Sequence, residues 1–213
     1  MSLLLKNASV ITCDKDGTVI EDGAVGIRDG KIDYIGPTEA RLDEQYDRIM
    51  DLKGNAVMPG FVNAHNHAAM TMFRNYADDL KLMDWLFNKI FPLEDKLTEE
   101  DAYWAVSLAI LEMIKSGTTA YCDMYMFMEK TAEAVIQSGM KAVLGRGLQG
   151  ETAEGFDHRI SEALELYKNY HNGSDGRIKV NLAPHSVYTC SFAYLEKVAR
   201  IAREIKSGIN KNR

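Results

Sequence analysis

Near residue 56 of this 213-residue chain the spacing of apolar and polar positions changes character. Before that point, short runs rich in Leu, Val and Ile are broken by Gly, Asp and Asn, the pattern of strands and turns. Residues 2–12 read as one strand, and Thr18-Val19-Ile20 and residues 23–27 as further strands. Arg28-Asp29-Gly30-Lys31 lies between apolar runs at 24–27 and 32–35. Asp-Gly suits a two-residue type I′ hairpin turn, in which both central residues take positive φ. A small β-sandwich lobe over residues 1–56 is expected.

Beyond residue 56, strand-like and helix-like periods alternate. Residues 56–64 read as a strand that runs into His65-Asn66-His67. After a long excursion, 98–115 reads as a helix. Thr98 is its N-cap, and Glu99, Glu100 and Asp101 stand at the positive end of its dipole. Ala102, Val106, Ala109, Ile110, Met113 and Ile114 recur at helical spacing, and Gly117 stops the helix. Strands at 118–124, 142–148 and 178–183 then alternate with helices at 129–138, 157–170 and 191–206. Ile160, Ala163, Leu164 and Tyr167 share a face of the third helix. Leu195, Val198, Ala199, Ala202 and Ile205 form the stripe of the fourth. Gly208-Ile209-Asn210 has the look of a fifth strand beginning.

Four strand–helix units in series argue for a parallel sheet with helical crossovers. A doubly wound sheet is the main rival, but no Gly-x-Gly-x-x-Gly or phosphate loop follows the first strand. Polar groups gather instead at several strand C-termini: His65 and His67, Asp123 and Tyr125, Arg146, and His185. A TIM barrel carries its chemistry there. The expected fold is α/β: a partial β-sandwich lobe at 1–56, then a truncated TIM (β/α) barrel of about four strand–helix units at 57–213.

Composition adds exclusions. The chain is 46% hydrophobic and 26% charged, an ordinary globular balance. Its net charge is -6 with no Lys/Arg run, which argues against nucleic acid. No stretch approaches a membrane span, and the apolar run at the N-terminus is too short for a signal-peptide core. Cys13, Cys122 and Cys190 lie far apart, so neither a disulfide framework nor a Cys-x-x-Cys metal site is indicated. Reduced thiols and a cytoplasmic location are expected.

His65 and His67 are the first candidates for chemistry. Residues two apart in a strand point to one face, and neutral imidazole is a common zinc ligand. The bare His-x-His pattern is weak with five His in the chain. The apolar, aromatic run behind a Pro-Gly turn gives it context. The excursion at 68–97 carries Trp85, Phe87, Phe91 and Glu94, and loops of that length are usually functional or disordered. Its aromatics suit either a pocket wall or packing onto the barrel. Arg146 and Arg159 suit surface ion pairs, and Glu94 beside Asp95 and Lys96 suits a solvated face. His185, after a proline at a strand's end, is the better site candidate. His158 and His171 read as exposed, and Asp123 as a group that orients its neighbours.

The string Pro59-Gly60-Phe61-Val62-Asn63-Ala64-His65-Asn66-His67 resembles the start of the barrel in the metal-dependent amidohydrolase superfamily. Trp85, Glu94, Arg146 in Leu-Gly-Arg-Gly-Leu, Arg159 in His-Arg-Ile-Ser-Glu-Ala and His185 in Ala-Pro-His-Ser extend that likeness along the chain. Together they resemble the methylthioadenosine/S-adenosylhomocysteine deaminase group, a relative of the triazine chlorohydrolases.

That resemblance implies a divalent metal ion, zinc first, held by His65 and His67. It implies that Glu94 takes two ribose hydroxyls and that Arg146 and Arg159 hold an amino-acid carboxylate. His185 would bond the purine ring and Trp85 would line the pocket. The implied reaction is hydrolytic deamination: a metal-activated water attacks the carbon bearing the exocyclic amine, and a carboxylic acid protonates the ring nitrogen and the leaving ammonia. Further ligands and the acid/base Glu, which this resemblance puts in later strands, would fall past residue 213. No catalytic acid or base is therefore expected within this chain, and weak activity or none.

Sister substrates are guanine, cytosine and a chlorotriazine. Dihydroorotase-type relatives use a carboxylated Lys at the end of strand four, where His185 stands and Lys179 does not. A non-catalytic fragment or pseudoenzyme is the other reading. The expected partner is a nucleoside-type small molecule. An open half-barrel would also expose strand edges to self-association or to a complementing fragment.

Overall fold

Strand β1 (Ser2–Ile11) anchors the first sheet. It pairs antiparallel with β2 (Val19–Arg28), which pairs antiparallel with β3 (Lys31–Pro37). Two later strands, β4 (Arg48–Asp51) and β5 (Ala56–Val57), run parallel to β1. The hairpin turn has the expected geometry, with φ of 51° at Asp29 and 75° at Gly30. The two runs expected at 18–20 and 23–27 are one strand, accommodated by register shifts opposite Ala8. Asn7, at φ 54°, sits in that irregularity. Thr38 Oγ1 accepts the Asn7 N–H at 3.1 Å and donates to the Gly23 carbonyl at 3.0 Å, meeting groups that the broken ladder leaves open. Leu4, Ala24 and Leu42 form one small core, and Ala8, Val10 and Val25 another.

The computed structural model describes residues 1–211 and divides the chain into two compact units, Met1–Gly60 and the residues from Phe61 onward. The division falls after Gly60 because Ala56 and Val57 pair with Ser9 and Val10 of the first sheet. The single strand expected at 56–64 is thus two pieces, β5 and β6 (Phe61–Asn63). Pro59 between them has no N–H to give a ladder.

The second sheet is parallel, ordered β10-β8-β7-β6 with β9 also on β8. Its strands are β6, β7 (Thr118–Tyr125), β8 (Lys141–Leu148), β9 (Ile178–Val180) and β10 (Ala183–Pro184). The strand expected at 178–183 is split, because Leu182 turns its backbone to a different neighbour. Its N–H bonds the Gly208 carbonyl at 3.1 Å, and its carbonyl accepts from Asn210 N–H at 2.9 Å. The strand start expected at 208–210 therefore pairs beside Leu182. Gly145 lets β10 seat against β8: a Cβ there would lie 2.5 Å from that of Ala183.

Four helices follow the predicted periods: α1 (Glu99–Lys115), α2 (Met128–Ser138), α3 (His158–Tyr170) and α4 (Phe192–Ile205). Thr98 and Asp101 form a reciprocal capping box on α1, Asp157 caps α3 and Ser191 caps α4. Val106, Ile110, Tyr121, Met128, Val135, Leu144 and Leu166 meet in the main core. Leu148, Ile160, Leu182, Tyr194 and Val198 make a second. Ile114, read as part of the apolar stripe of α1, is exposed, whereas Tyr194, absent from the stripe read for α4, is fully buried. The excursion after His67 is largely ordered: a 3-10 turn at Ala68–Phe73, then helical backbone through 82–94 with a π-type turn ahead of Pro92. Among the described residues, no helix is long and apolar enough to cross a membrane.

Candidate active site

His65 and His67 leave the end of β6 beyond its last paired residue. Asn63 Oδ1 accepts the His65 N–H at 3.3 Å, curling the chain away from the strand. The two rings meet edge to face, with centroids 5.2 Å apart. His65 is exposed and His67 half-buried. His67 Nδ1 lies 2.6 Å from the Met124 carbonyl at the end of β7. Only a protonated Nδ1 bonds a carbonyl, so the lone pair of the neutral ring belongs to Nε2. Metal-binding histidines are commonly held this way through their other nitrogen.

His185 follows β10, its N–H bonded to the Leu148 carbonyl at 2.9 Å. Its ring stands 6.4 Å from that of His67, and its Nδ1 lies 3.1 Å from Thr189 Oγ1. Burial holds it below the usual imidazole range, with His67 and His65 adding to the effect. The ends of β6 and β10 thus bring three imidazoles together beside the end of β7.

Glu94 reaches the same neighbourhood through Tyr125, whose hydroxyl donates to Glu94 Oε1 at 2.5 Å. The Tyr125 ring lies 6.2 Å from that of His67. Burial, and then the Glu94 hydrogen bond, push the Tyr125 hydroxyl well above its ordinary range, so it is a donor at any working pH.

The remaining predicted residues stand apart. Trp85 walls a cavity of about 300 Å³ with Met70, Phe73 and Tyr76. Arg146 Nε is paired with Glu162 of α3 at 2.6 Å, beside a cavity of about 340 Å³ under Met126, Phe127 and Met128. Arg159 reaches the Gln149 carbonyl at 3.4 Å and borders a third cavity with Phe156 and Lys197. His158 is exposed as expected. His171 is not: its ring stacks on Tyr167 at 4.3 Å and its Nδ1 accepts the Val180 N–H at 3.1 Å, a structural role.

Asp123 is fully buried. Its Oδ1 accepts N–H groups from Ala68 at 2.9 Å and Met124 at 3.1 Å, while Oδ2 has no partner among the described residues. Desolvation outweighs those two bonds and raises the carboxyl to about 7. Sequence reasoning missed the Met124 carbonyl and the Glu162 partner of Arg146. The first is backbone, and the second depends on how α3 crosses β8; neither leaves a residue-type signal.

Two neighbouring imidazoles, one of them held through its Nδ1, suit part of a zinc-type centre. Among the described residues, no group of three or more His, Cys, Asp or Glu side chains could hold a metal ion. Catalytic zinc usually has three protein ligands.

Comparison with known proteins places these features in a family. The model of the amidohydrolase family matches residues 56–210. The 5-methylthioadenosine/S-adenosylhomocysteine deaminase of Acetivibrio thermocellus is 46% identical over 211 residues, which are 99% of this chain and 49% of that protein. The 5'-deoxyadenosine deaminase of Methanosarcina mazei is 45% identical over 98% of this chain and 48% of its own length. Among solved structures, an adenosine deaminase from Xanthomonas campestris with bound zinc superposes at a TM-score of 0.83 and 32% identity, covering 99% of this chain and 48% of that one. The chain spans about half the length of the curated relatives it matches.

Proposed function

The chain belongs to the amidohydrolase family, and from that premise we propose that it serves the metal-dependent hydrolytic deamination of an adenosine-type substrate such as S-adenosylhomocysteine or methylthioadenosine. The observation that carries this reading is the meeting of His65, His67 and His185 at the C-terminal ends of parallel strands, where a barrel enzyme keeps its chemistry. The relatives' names supply the substrate class. We read the parallel sheet as the first four strands of a (β/α) barrel, β9 and β10 together making the fourth, and the first unit as part of a β-sandwich.

His65 and His67 would hold a divalent ion, zinc first. Such an ion supplies a hydroxide nucleophile near neutral pH. His185, kept neutral by burial, offers the purine ring a hydrogen bond. Glu94, steadied by the Tyr125 hydroxyl, accepts from the ribose diol. Trp85, which lines a separate cavity with Met70, Phe73 and Tyr76, is assigned to the wall of the substrate pocket. Arg146 and Arg159 receive the carboxylate of an amino-acid tail, Arg146 exchanging part of its bonding with Glu162.

The test is metal content and ammonia release together. The metal-stripped chain is given zinc, and then S-adenosylhomocysteine or methylthioadenosine. About one zinc per chain, lost in H65A and in H67A, with ammonia formed only when zinc is present, is the expected result. Zinc binding without ammonia points to the second reading, a binding or vestigial protein, which is favoured by the lack of a three-ligand group among the described residues. No zinc at all overturns the metal assignment.

A further inference from the structure

We propose that Asp123 is a positioning residue for His67, holding residues 66–68 against the end of β7 so that the His67 ring is presented in one tautomer and one orientation. The inference rests on the reading of His67 as a metal ligand and adds a residue to it. Three links close around that ring. Asp123 Oδ1 accepts the N–H of Ala68, the residue after His67, at 2.9 Å. The same oxygen accepts the Met124 N–H at 3.1 Å, which is also shared with the Asn66 carbonyl at 3.4 Å. The Met124 carbonyl takes the proton of His67 Nδ1 at 2.6 Å. One carboxylate oxygen therefore fixes both partners of the Nδ1 bond: the backbone that carries the ring and the peptide that receives it.

Burial separates this role from ordinary packing. Asp123 has no exposed surface, and its second oxygen has no donor among the described residues. Such a group is costly to bury, and an apolar side chain on this strand face would not carry that cost. What the carboxylate supplies in return is an acceptor for the Ala68 N–H at the start of a 3-10 turn whose N-cap is His67 itself, with no side-chain cap of its own. That hydrogen bond ties the start of the turn to β7. Outer-shell groups of this kind typically change metal affinity by about 10–100-fold.

The experiment reads the imidazole directly. Long-range proton–nitrogen spectra of the metal-free, nitrogen-15-labelled chain report which ring nitrogen of His67 is protonated, and zinc affinity is measured by competition with a chelator. Wild type is expected to show the neutral His67 ring as the Nδ1–H tautomer alone. D123A is expected to show a mixture of tautomers and zinc binding weaker by about tenfold or more. D123N, whose amide oxygen can accept the same two N–H groups, restores the spectrum and most of the affinity. A folded D123A with an unchanged His67 spectrum and unchanged zinc affinity overturns the proposal. So does a folded D123N as impaired as D123A, since the acceptor would then not be what the residue supplies. Should D123A fail to fold, A68P takes its place: it keeps the carboxylate and deletes the N–H that it accepts. If wild type binds no zinc, the metal reading falls, and the tautomer spectra still decide the role of Asp123.

Discussion

At the scale of single residues, Asp123 gives the chain a pH dependence of calculable sign. Its carboxyl titrates at about 7 when folded, against 3.8 ordinarily. Between those values the folded state holds a proton that the unfolded state has lost, so stability falls as pH rises. The contribution is whole below about pH 4 and gone above about pH 7. Three units of difference correspond to about 4 kcal/mol. Urea unfolding of the metal-free chain should therefore show D123N, which cannot ionise, losing less stability than wild type between about pH 5 and about pH 8. Equal losses in the two proteins would mean that the buried carboxyl is solvated or paired in solution. Asp14, Asp47 and Asp51 have lowered pKa values and contribute only in more acidic solution, so they do not obscure this window. The residue scale is also where legibility ran unevenly. The gathering of His65, His67 and His185 at strand ends was readable from the strand pattern, because each imidazole follows a recognisable apolar run. The Met124 carbonyl that orients His67 was not, because every residue has a carbonyl.

Elements were legible where a local signal and a period agreed. Thr98 precedes three acidic residues and a regular apolar stripe, and the structure returns a capping box with the Thr98 side chain on the Asp101 N–H at 3.2 Å. T98A should lower stability by about 1 kcal/mol, and T98S should recover most of it. Loss of helicity in T98A without any change in urea midpoint would show α1 held by packing alone. Strands were less legible, because short apolar runs do not announce their partners. Val57 and Phe61 look like one strand in the sequence, yet β5 pairs with β1 and β6 with β7. Leu182 reads as the middle of a strand, yet its backbone bonds go to Gly208 and Asn210. Pairing is a long-range choice, and periodicity records only which face is apolar. The order in 82–94 was hidden for a similar reason: a π-type turn and a proline break the helical period that the eye follows.

For the whole molecule, the decisive feature is an apolar edge. Among the described residues, β6 has a hydrogen-bonded neighbour on one side only, β7. Phe61 and Val62 on that strand are 57% and 64% exposed. Trp104, Leu108 and Leu111 add an exposed apolar stripe along α1 in the same unit. Unpaired backbone flanked by large apolar side chains is a template for another strand, and natural edges are normally blunted by charge, proline or a bulge. Phe61-Val62-Asn63 carries no charged side chain; Pro59 precedes it and its register with β7 shifts between Phe61 and Val62, but its apolar side chains stay exposed, so we expect the 213-residue chain to self-associate or to capture a complementing fragment through this edge. Light scattering should give a mass that rises with protein concentration. Val62→Lys places a charge on the edge without touching the buried core, and it should shift the distribution toward monomer while the circular dichroism of the sheet is retained. An unmodified chain that stays monomeric across the concentration range would dispose of the edge as an interface. A V62K chain that associates as strongly as the original would move the contact elsewhere, with the Trp104 stripe the next surface to charge.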